Sequence, residues 1–385
     1  MEYKTIKELC DLVVDCPHST PTWTEHGKIV IRNNNIKNGR IDFTSPSFTD
    51  DEHFAQRIKR AVPKAGDIVI TREAPMGEVG MIPEGIECCL GQRMVLLRAN
   101  ERICDKHYLL YGLQSQFVQH QISWSEGTGT TVSNLRIPHL EQIRVPYVPL
   151  DQQKKISSVL YALEDKIENN RKLNDNLEQQ AAALFSSLYN RSNTEVRYTD
   201  LIQILGGGTP KTGETAYWNG NIAFFTPKDV GTPYTFITEK TITEEGLSHC
   251  NSRLYPVNTV FVTARGTVGK VGLSGVPMAM NQSCYALIGK ETHQLLVYFY
   301  TLKAVDRLKH KASGAVFDAI TTRDFDSEQI MKLSDDDAKA FLCVAEPMFQ
   351  EILNNSIENL RLSTLRDFLL PKLMSGEIDV SSVQL

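Results

Sequence analysis

Gly66-Asp67-Ile68-Val69-Ile70-Thr71, running on to Pro75-Met76-Gly77-Glu78-Val79-Gly80-Met81, returns later in the chain. The second copy is Asn258-Thr259-Val260-Phe261-Val262-Thr263 followed by Thr267-Val268-Gly269-Lys270-Val271-Gly272-Leu273. The offset is 192 residues, from Asp67 to Thr259 and again from Met81 to Leu273. An apolar run, a Gly-bearing turn and a second apolar run read as strand, turn, strand. The copies extend outward. Thr20-Pro21 and Thr209-Pro210 each precede an aromatic residue (Trp23, Tyr217) and then a strand, while Gly91-Gln92 and Asn281-Gln282 each open another. A repeat with a period of half the chain predicts two similar globular units.

A second repeated piece is helical. From Asp151 to about Tyr189 there is no Gly or Pro, and Ile156, Leu160, Leu163, Ile167, Leu177, Ala181, Leu184 and Leu188 recur at spacings of three, four and their sums. That is the apolar seam of a long amphipathic helix, about 60 Å at 1.5 Å per residue. Asn170 and Asn174 occupy the gap in the seam. At an offset of 185, Ile167, Asn169, Asn170, Asn174, Leu177, Leu184 and Leu188 meet Ile352, Asn354, Asn355, Asn359, Leu362, Leu369 and Leu373. Ser334-Asp335-Asp336-Asp337 reads as an N-cap with an acidic first turn, and Gly376 as the C-terminal stop. Pro347 and Pro371 are expected to kink or shorten this second helix. Two long helices with matching seams are expected to pack antiparallel. Ile167, Asn170, Asn174 and Leu177 would then face Ile352, Asn355, Asn359 and Leu362, with the asparagines fixing register. The alternative is that each helix covers its own globular unit. The expected class is α+β: two repeated mixed α/β domains joined by two long antiparallel helices in a coiled-coil-like spacer with pseudo-two-fold symmetry. The divisions are 1–150 and 191–333 for the globular domains, and 151–190 and 334–385 for the helical spacers.

Composition sets further bounds. The 385 residues are 41% hydrophobic and 23% charged, ordinary for globular protein. No run of about 18 apolar residues is present, no secretory signal is visible, and none of the eight cysteines forms a C-x-x-C pair. A cytoplasmic protein with reduced thiols is expected. Catalytic motifs are missing. Gly206-Gly207-Gly208-Thr209-Pro210-Lys211-Thr212-Gly213 lacks the G-K-[ST] ending of a phosphate loop and reads as a turn. Gly127-Thr128-Gly129-Thr130 opens no helix, and neither H-E-x-x-H nor G-x-S-x-G occurs. Glu164-Asp165-Lys166 resembles the tail of a nuclease motif but is expected on a solvated helix face. A non-catalytic binding protein with no metal is the economical reading. The competing ones are a stand-alone DNA methyltransferase or nuclease and a coiled-coil adaptor that ignores DNA.

The loops of both copies carry donors suited to phosphates and base edges. In the first these are Lys28, Arg32, Asn33, Asn34, Asn35, Lys37, Arg72, Gln92 and Arg93. In the second they are Lys211, Thr212, Lys228, Arg265, Lys270, Asn281 and Gln282. The net charge of −5 argues against a simple polyanion binder, but it is unevenly placed. Residues 1–150 carry −1, 151–190 carry −1, 191–333 carry +2 and 334–385 carry −5. The acidity is expected to belong to surfaces for protein partners, and DNA binding by the isolated chain is expected to be weak.

The chain resembles, over essentially its whole length, the specificity subunit of type I restriction–modification enzymes. The resemblance is carried by Pro149-Leu150-Asp151-Gln152-Gln153-Lys154-Lys155-Ile156, residues 163–174, Arg265-Gly266-Thr267-Val268-Gly269-Lys270-Val271-Gly272, the Thr-Pro turns and Leu369-Leu370-Pro371-Lys372-Leu373-Met374-Ser375-Gly376-Glu377-Ile378. It implies that each globular unit is a target recognition domain reading half of a bipartite double-stranded DNA sequence. It implies that the helices act as a ruler and dock two methyltransferase (modification) subunits. S-adenosylmethionine would sit on those subunits, ATP and Mg on separate motor-endonuclease (restriction) subunits, and no cofactor on this chain.

Overall fold

The computed structural model describes residues 2–37, 39–124, 134–231, 233–311 and 319–383. The sequence 127–130 discussed above lies outside them. The chain divides into two compact units, Met1–Ile167 with Arg361–Leu385, and Glu168–Leu360.

In unit 1 the repeated strand Ile68–Thr71 is buried along its whole length. It lies inside a four-stranded sheet, in the order Cys10–Asp15, Met94–Ala99, Ile68–Thr71, Val79–Met81. Both faces are covered, which explains a continuous apolar run where a half-buried strand would alternate. Ile68 and Ile70 face a core shared with the helices Lys106–Gln114 and Gln116–Ser123. Val69 faces the opposite core, with Ile31, Cys88 and Leu90. That second core is roofed by a three-stranded sheet, Ser47–Thr49, Lys28–Ile31, Cys88–Leu90, whose last pair is parallel.

Unit 2 repeats this plan. Val260–Thr263 is fully buried within the order Ile202–Gly206, Cys284–Gly289, Val260–Thr263, Val271–Ser274, Tyr234–Thr235. Val260 and Val262 face the helix Gln294–Lys311, and Phe261 faces Phe225, Met278 and Met280. Its three-stranded sheet again ends in a parallel pair, Trp218–Phe225 with Met278–Met280. The unit 1 helix is broken where Ser115 ends one segment and caps the next; its unit 2 counterpart runs unbroken for 18 residues. The α+β class expected from sequence is observed.

The first long helix spans Leu150–Arg191 and the second Asp335–Ser375. At the start of the first, Gln153 is fully buried with its amide satisfied. It donates to the carbonyls of Ile103 (2.9 Å) and Val148 (2.8 Å) and accepts from Asp105 N (2.9 Å). At the start of the second, Ser334 Oγ accepts from Asp337 N at 3.1 Å, the expected cap. At its end Gly376 sits at φ +74 as the expected stop.

The prolines do not shorten the second helix, contrary to the sequence expectation: at 41 residues it nearly equals the 42 of the first. Pro347 and Pro371 are exposed, as are Cys343 and Asp367 four residues before them. The prolines and the residues whose carbonyls lose a helical partner thus lie on the solvent face of the helix, where an interior proline costs less than in a packed seam.

Within unit 2 the two helices run antiparallel. Asn170 Nδ2 donates to Asn359 Oδ1 at 3.0 Å and to Glu358 Oε2 at 2.7 Å. Asn355 Nδ2 donates to Asn174 Oδ1 at 2.9 Å, and Asn174 Nδ2 donates to Ser356 Oγ at 3.3 Å. The exchange is reciprocal: Asn170 meets the copy of Asn174, and Asn174 meets the copy of Asn170. Ile352 is buried in the same core and Leu177 packs half-buried against it. The helices also cover their unit, with Phe185 stacked on Phe299 at 5.0 Å. Pairing and covering coexist.

Within unit 1, Ile156 and Leu160 pack with Leu373, Met374, Tyr108 and Tyr111. Ile167 is buried and Leu362 half-buried. Glu164 corrects the expectation of a solvated face. It is buried, accepts from Tyr111 OH at 3.1 Å and pairs with Arg366 at 3.7 Å. Asp165 and Lys166 are exposed.

Asn174→Ala leaves the Asn355 amide buried without its acceptor and should cost about 1–3 kcal/mol. In urea unfolding, the double variant N174L/N355L should lose clearly less than the sum of the two single leucine variants. Additive losses would contradict the pairing.

Candidate nucleic-acid interface

The repeated turn is held by the same hydrogen bonds in the two units. In unit 1, Thr71 Oγ donates to Pro75 O (2.6 Å) and accepts from Glu78 N (3.0 Å), while Gly77 N donates to Thr71 O (2.9 Å). In unit 2, Thr263 Oγ donates to Thr267 O and accepts from Lys270 N (2.9 Å), while Gly269 N donates to Thr263 O (2.9 Å). Gly77 and Gly269 have φ of +86 and +74, a conformation that disfavours side chains with a Cβ.

A second shared device latches the Thr-Pro turns. Gln92 donates to Thr20 Oγ at 3.1 Å and also to His18 O, and Thr209 Oγ donates to Gln282 Oε1. Gln92 Nε2 and Gln282 Oε1 thus both hold loops of their own unit. In the second unit a Cβ on Gly207 would lie 2.2 Å from Asn281 O, and Gly208 N donates to Met280 O at 3.1 Å. This stretch is a close-packed turn with an engaged amide, as its sequence predicts.

Several other expected readers are also committed to the fold. Arg72 is buried, donating to Leu135 O (2.9 Å), Asp15 Oδ1 (2.9 Å) and Asn134 Oδ1 (3.1 Å). Its partners lie 57 to 63 residues away, so local sequence could not reveal them. Lys28 pairs with Glu87, a partner that raises its pKa, and lies over the Phe54 ring. Asn33 donates to Glu73 O at 2.6 Å. Asn35 is buried, accepting from Arg32 N and donating to Asp42 O. Arg93 pairs with Glu73 at 3.1 Å.

What remains at the surface of unit 1 is Arg32, Asn34 and Lys37, all exposed. Arg32 lies 5.1 Å from the ring centre of Trp23, an indole 45% exposed. Trp23 was not among the expected site residues, although its place just after the Thr-Pro turn was visible. An exposed aromatic beside a guanidinium offers both stacking and charge to nucleic acid. The face is continuous: Trp23 touches Arg32, Asn33 bonds Glu73, Glu73 pairs with Arg93, and the neighbouring Gln92 holds Thr20.

In unit 2, Lys211, Thr212, Arg265 and Lys270 are exposed. Lys228 makes only a long 3.6 Å pair with the exposed Glu239, an interaction worth little. These residues also share one face. Trp218 donates to Lys211 O, Arg265 N donates to Ser283 O beside Gln282, and Thr267 donates to Pro227 O beside Lys228. Asn281 accepts from Ser283 N at 3.0 Å, supporting the same loop.

Burial pushes the thiols of Cys88, Cys104 and Cys284 up to about 12 and that of Cys89 to about 11, so at neutral pH they are protonated. Among the described residues no group of three or more His, Cys, Asp or Glu could hold a metal ion. No described helix is long and apolar enough to cross a membrane.

Residues 1–179 and 190–332 match the family described as the type I restriction modification DNA specificity domain. Among curated proteins, the type I restriction enzyme MjaIX specificity subunit of Methanocaldococcus jannaschii is 23% identical, covering 84% of this chain and 80% of that one. The HindI specificity subunit of Haemophilus influenzae is 29% identical over 47% of this chain and 40% of its own. Among solved structures, the type I restriction–modification S subunit from M. genitalium superposes with a TM-score of 0.61 at 17% identity, covering 97% of this chain and 95% of that one.

Arg72→Ala should lower the unfolding free energy by about 2–3 kcal/mol, because it removes charge-assisted bonds inside the fold. Asn34→Ala should stay within about 0.5 kcal/mol. Equal losses in urea unfolding would contradict this division between framework and surface.

Proposed function

The chain belongs to the type I restriction–modification DNA specificity family and is a DNA sequence-specificity subunit, and from that premise we propose how it works. Each globular unit reads one half of a bipartite duplex target through its loop face. The two long helices set the gap between the half-sites and dock two methyltransferase subunits. The chain catalyses nothing itself. S-adenosylmethionine is held by the methyltransferase subunits, and ATP with Mg by motor-endonuclease subunits, in the cytoplasm where the DNA lies.

The observation that carries this reading is the pair of turns held by the same hydrogen bonds and bearing different side chains. A conserved scaffold with divergent loops is what two readers of different half-sites require, since base contacts specify while the framework only positions. Both long helices contribute residues to both units, which supports a spacer role.

Methylation mapping of a strain carrying the complex tests the assignment. Replacing residues 1–150 with the corresponding domain of another family member should change one half-site and leave the other intact; a change in both would overturn one reader per unit. Inserting one heptad into each long helix, so that their pairing is kept, should lengthen the gap with the half-sites unchanged. Seven residues add about 10 Å, on the order of three base pairs. Altered half-sites with an unchanged gap would refute the ruler.

A further inference from the structure

The matched turns differ in one systematic way. At the 192-residue offset, Glu73 of unit 1 corresponds to Arg265 of unit 2, and Glu78 to Lys270. A third position follows from packing. Gln119 donates to Gly77 O at 3.0 Å, whereas beside the equivalent Gly269 stands Lys309, whose Cε would lie 2.6 Å from a Cβ on that glycine. The same backbone turn is therefore edged by two acids and an amide in one unit and by three cations in the other. Lys309 escapes sequence reading because it sits 39 residues after Lys270, on the helix Gln294–Lys311.

The cations of unit 2 are available. Arg265, Lys270 and Lys309 are exposed, and none of their side chains pairs with a carboxylate among the described residues. The carboxylates paired with cations of the helix Gln294–Lys311 or close to its histidine take none of these three. Glu328, fully buried, pairs with Arg307 and Lys311, and Asp306 pairs with His310. In unit 1 the corresponding acid Glu73 is held by Arg93, so the turn offers no net positive charge there.

Resting on the DNA-reading assignment, we propose that the two units hold the duplex by different physics. The turn of unit 2, with Arg265, Lys270 and Lys309, is a phosphate clamp. Its counterpart in unit 1, with Glu73, Glu78 and Gln119, takes no phosphate, and that unit engages its half-site through the rest of its face, Trp23 with Arg32 and Asn34. The salt sensitivity contributed by these turns then belongs to one half of the target. Neutralised phosphates release counterions, so each contact contributes about 0.9 to the slope of log affinity against log salt.

The test uses the complex assembled with its methyltransferase subunits and a duplex carrying the target defined by methylation mapping, titrated between about 50 and 200 mM KCl. R265Q/K270Q/K309Q should reduce the slope by about 2–3, shrinking the affinity lost across that range roughly forty-fold, with the methylated sequence unchanged. K309Q alone, which leaves every residue of the turn itself unchanged, should reduce it by about 0.9. E73Q/E78Q/Q119A should leave the slope as in the wild type. An unchanged slope in the triple variant and in K309Q, or an equal change in the unit 1 variant, overturns the clamp. Failure of the underlying assignment looks different: the wild-type complex itself would then methylate without sequence preference.

Discussion

The reciprocal amide exchange between the long helices is the constraint on which the arrangement within unit 2 depends. Leucines and isoleucines at helical spacing tolerate sliding, because one apolar side chain replaces another at similar cost. Buried amides do not. Moving one helix by a turn would separate Asn170 from Asn359 and Asn174 from Asn355, leaving polar atoms buried at about 1–3 kcal/mol each. The asparagines thus exchange some stability for a single register. Register then decides which residues of the second helix face the unit 2 core, so that Phe341, Ala345, Phe349 and Ile352 are all buried against it.

The central strands add a second constraint. Because Ile68–Thr71 and Val260–Thr263 are covered on both faces, the differences between them stay apolar, and in the turn that follows a Thr hydroxyl bridges the same two backbone positions in each copy. Changes of charge between the copies fall on side chains that leave the turn, such as Glu73 against Arg265 and Glu78 against Lys270. That is why the copies remain recognisable at a fixed offset while their surfaces reverse in charge. Recognition can diverge without disturbing the core because the turn is held by backbone and by one threonine.

Periodicity and self-similarity made the architecture legible in the sequence: two units, two long helices, the asparagine pairs and the caps at Ser334 and Gly376. What was hidden depended on distant partners. Arg72 looks like a reader until Asp15, Asn134 and Leu135 surround it. Glu164 looks solvated until Tyr111 and Arg366 close over it. The two glutamines also latch the Thr-Pro turns, through Nε2 of Gln92 and Oε1 of Gln282. The prolines leave the helix at its full length because both lie on its solvent face, which a missing N–H in the sequence does not reveal. In each case the residue type was read correctly and its availability was not.

Availability also changes the meaning of the net charge. Residues 334–385 carry nine acids against four basic side chains, an excess the sequence alone assigns to partner surfaces. Most of these acids already have work inside the chain. Asp335, Asp336 and Asp337 lie in the first turn of the helix, where its dipole favours negative charge. Glu346 pairs with His293, Glu358 accepts from Asn170, Asp367 and Glu377 pair with Arg366 and Lys372, and Asp379 caps Ser381. A duplex approaching this protein meets the charges left uncommitted, and in unit 2 those include Arg265, Lys270 and Lys309. A chain of net charge −5 can therefore present a cationic edge to DNA. The sum over the sequence mixes groups that hold the fold together with the few that face a ligand, and only the second kind bears on binding.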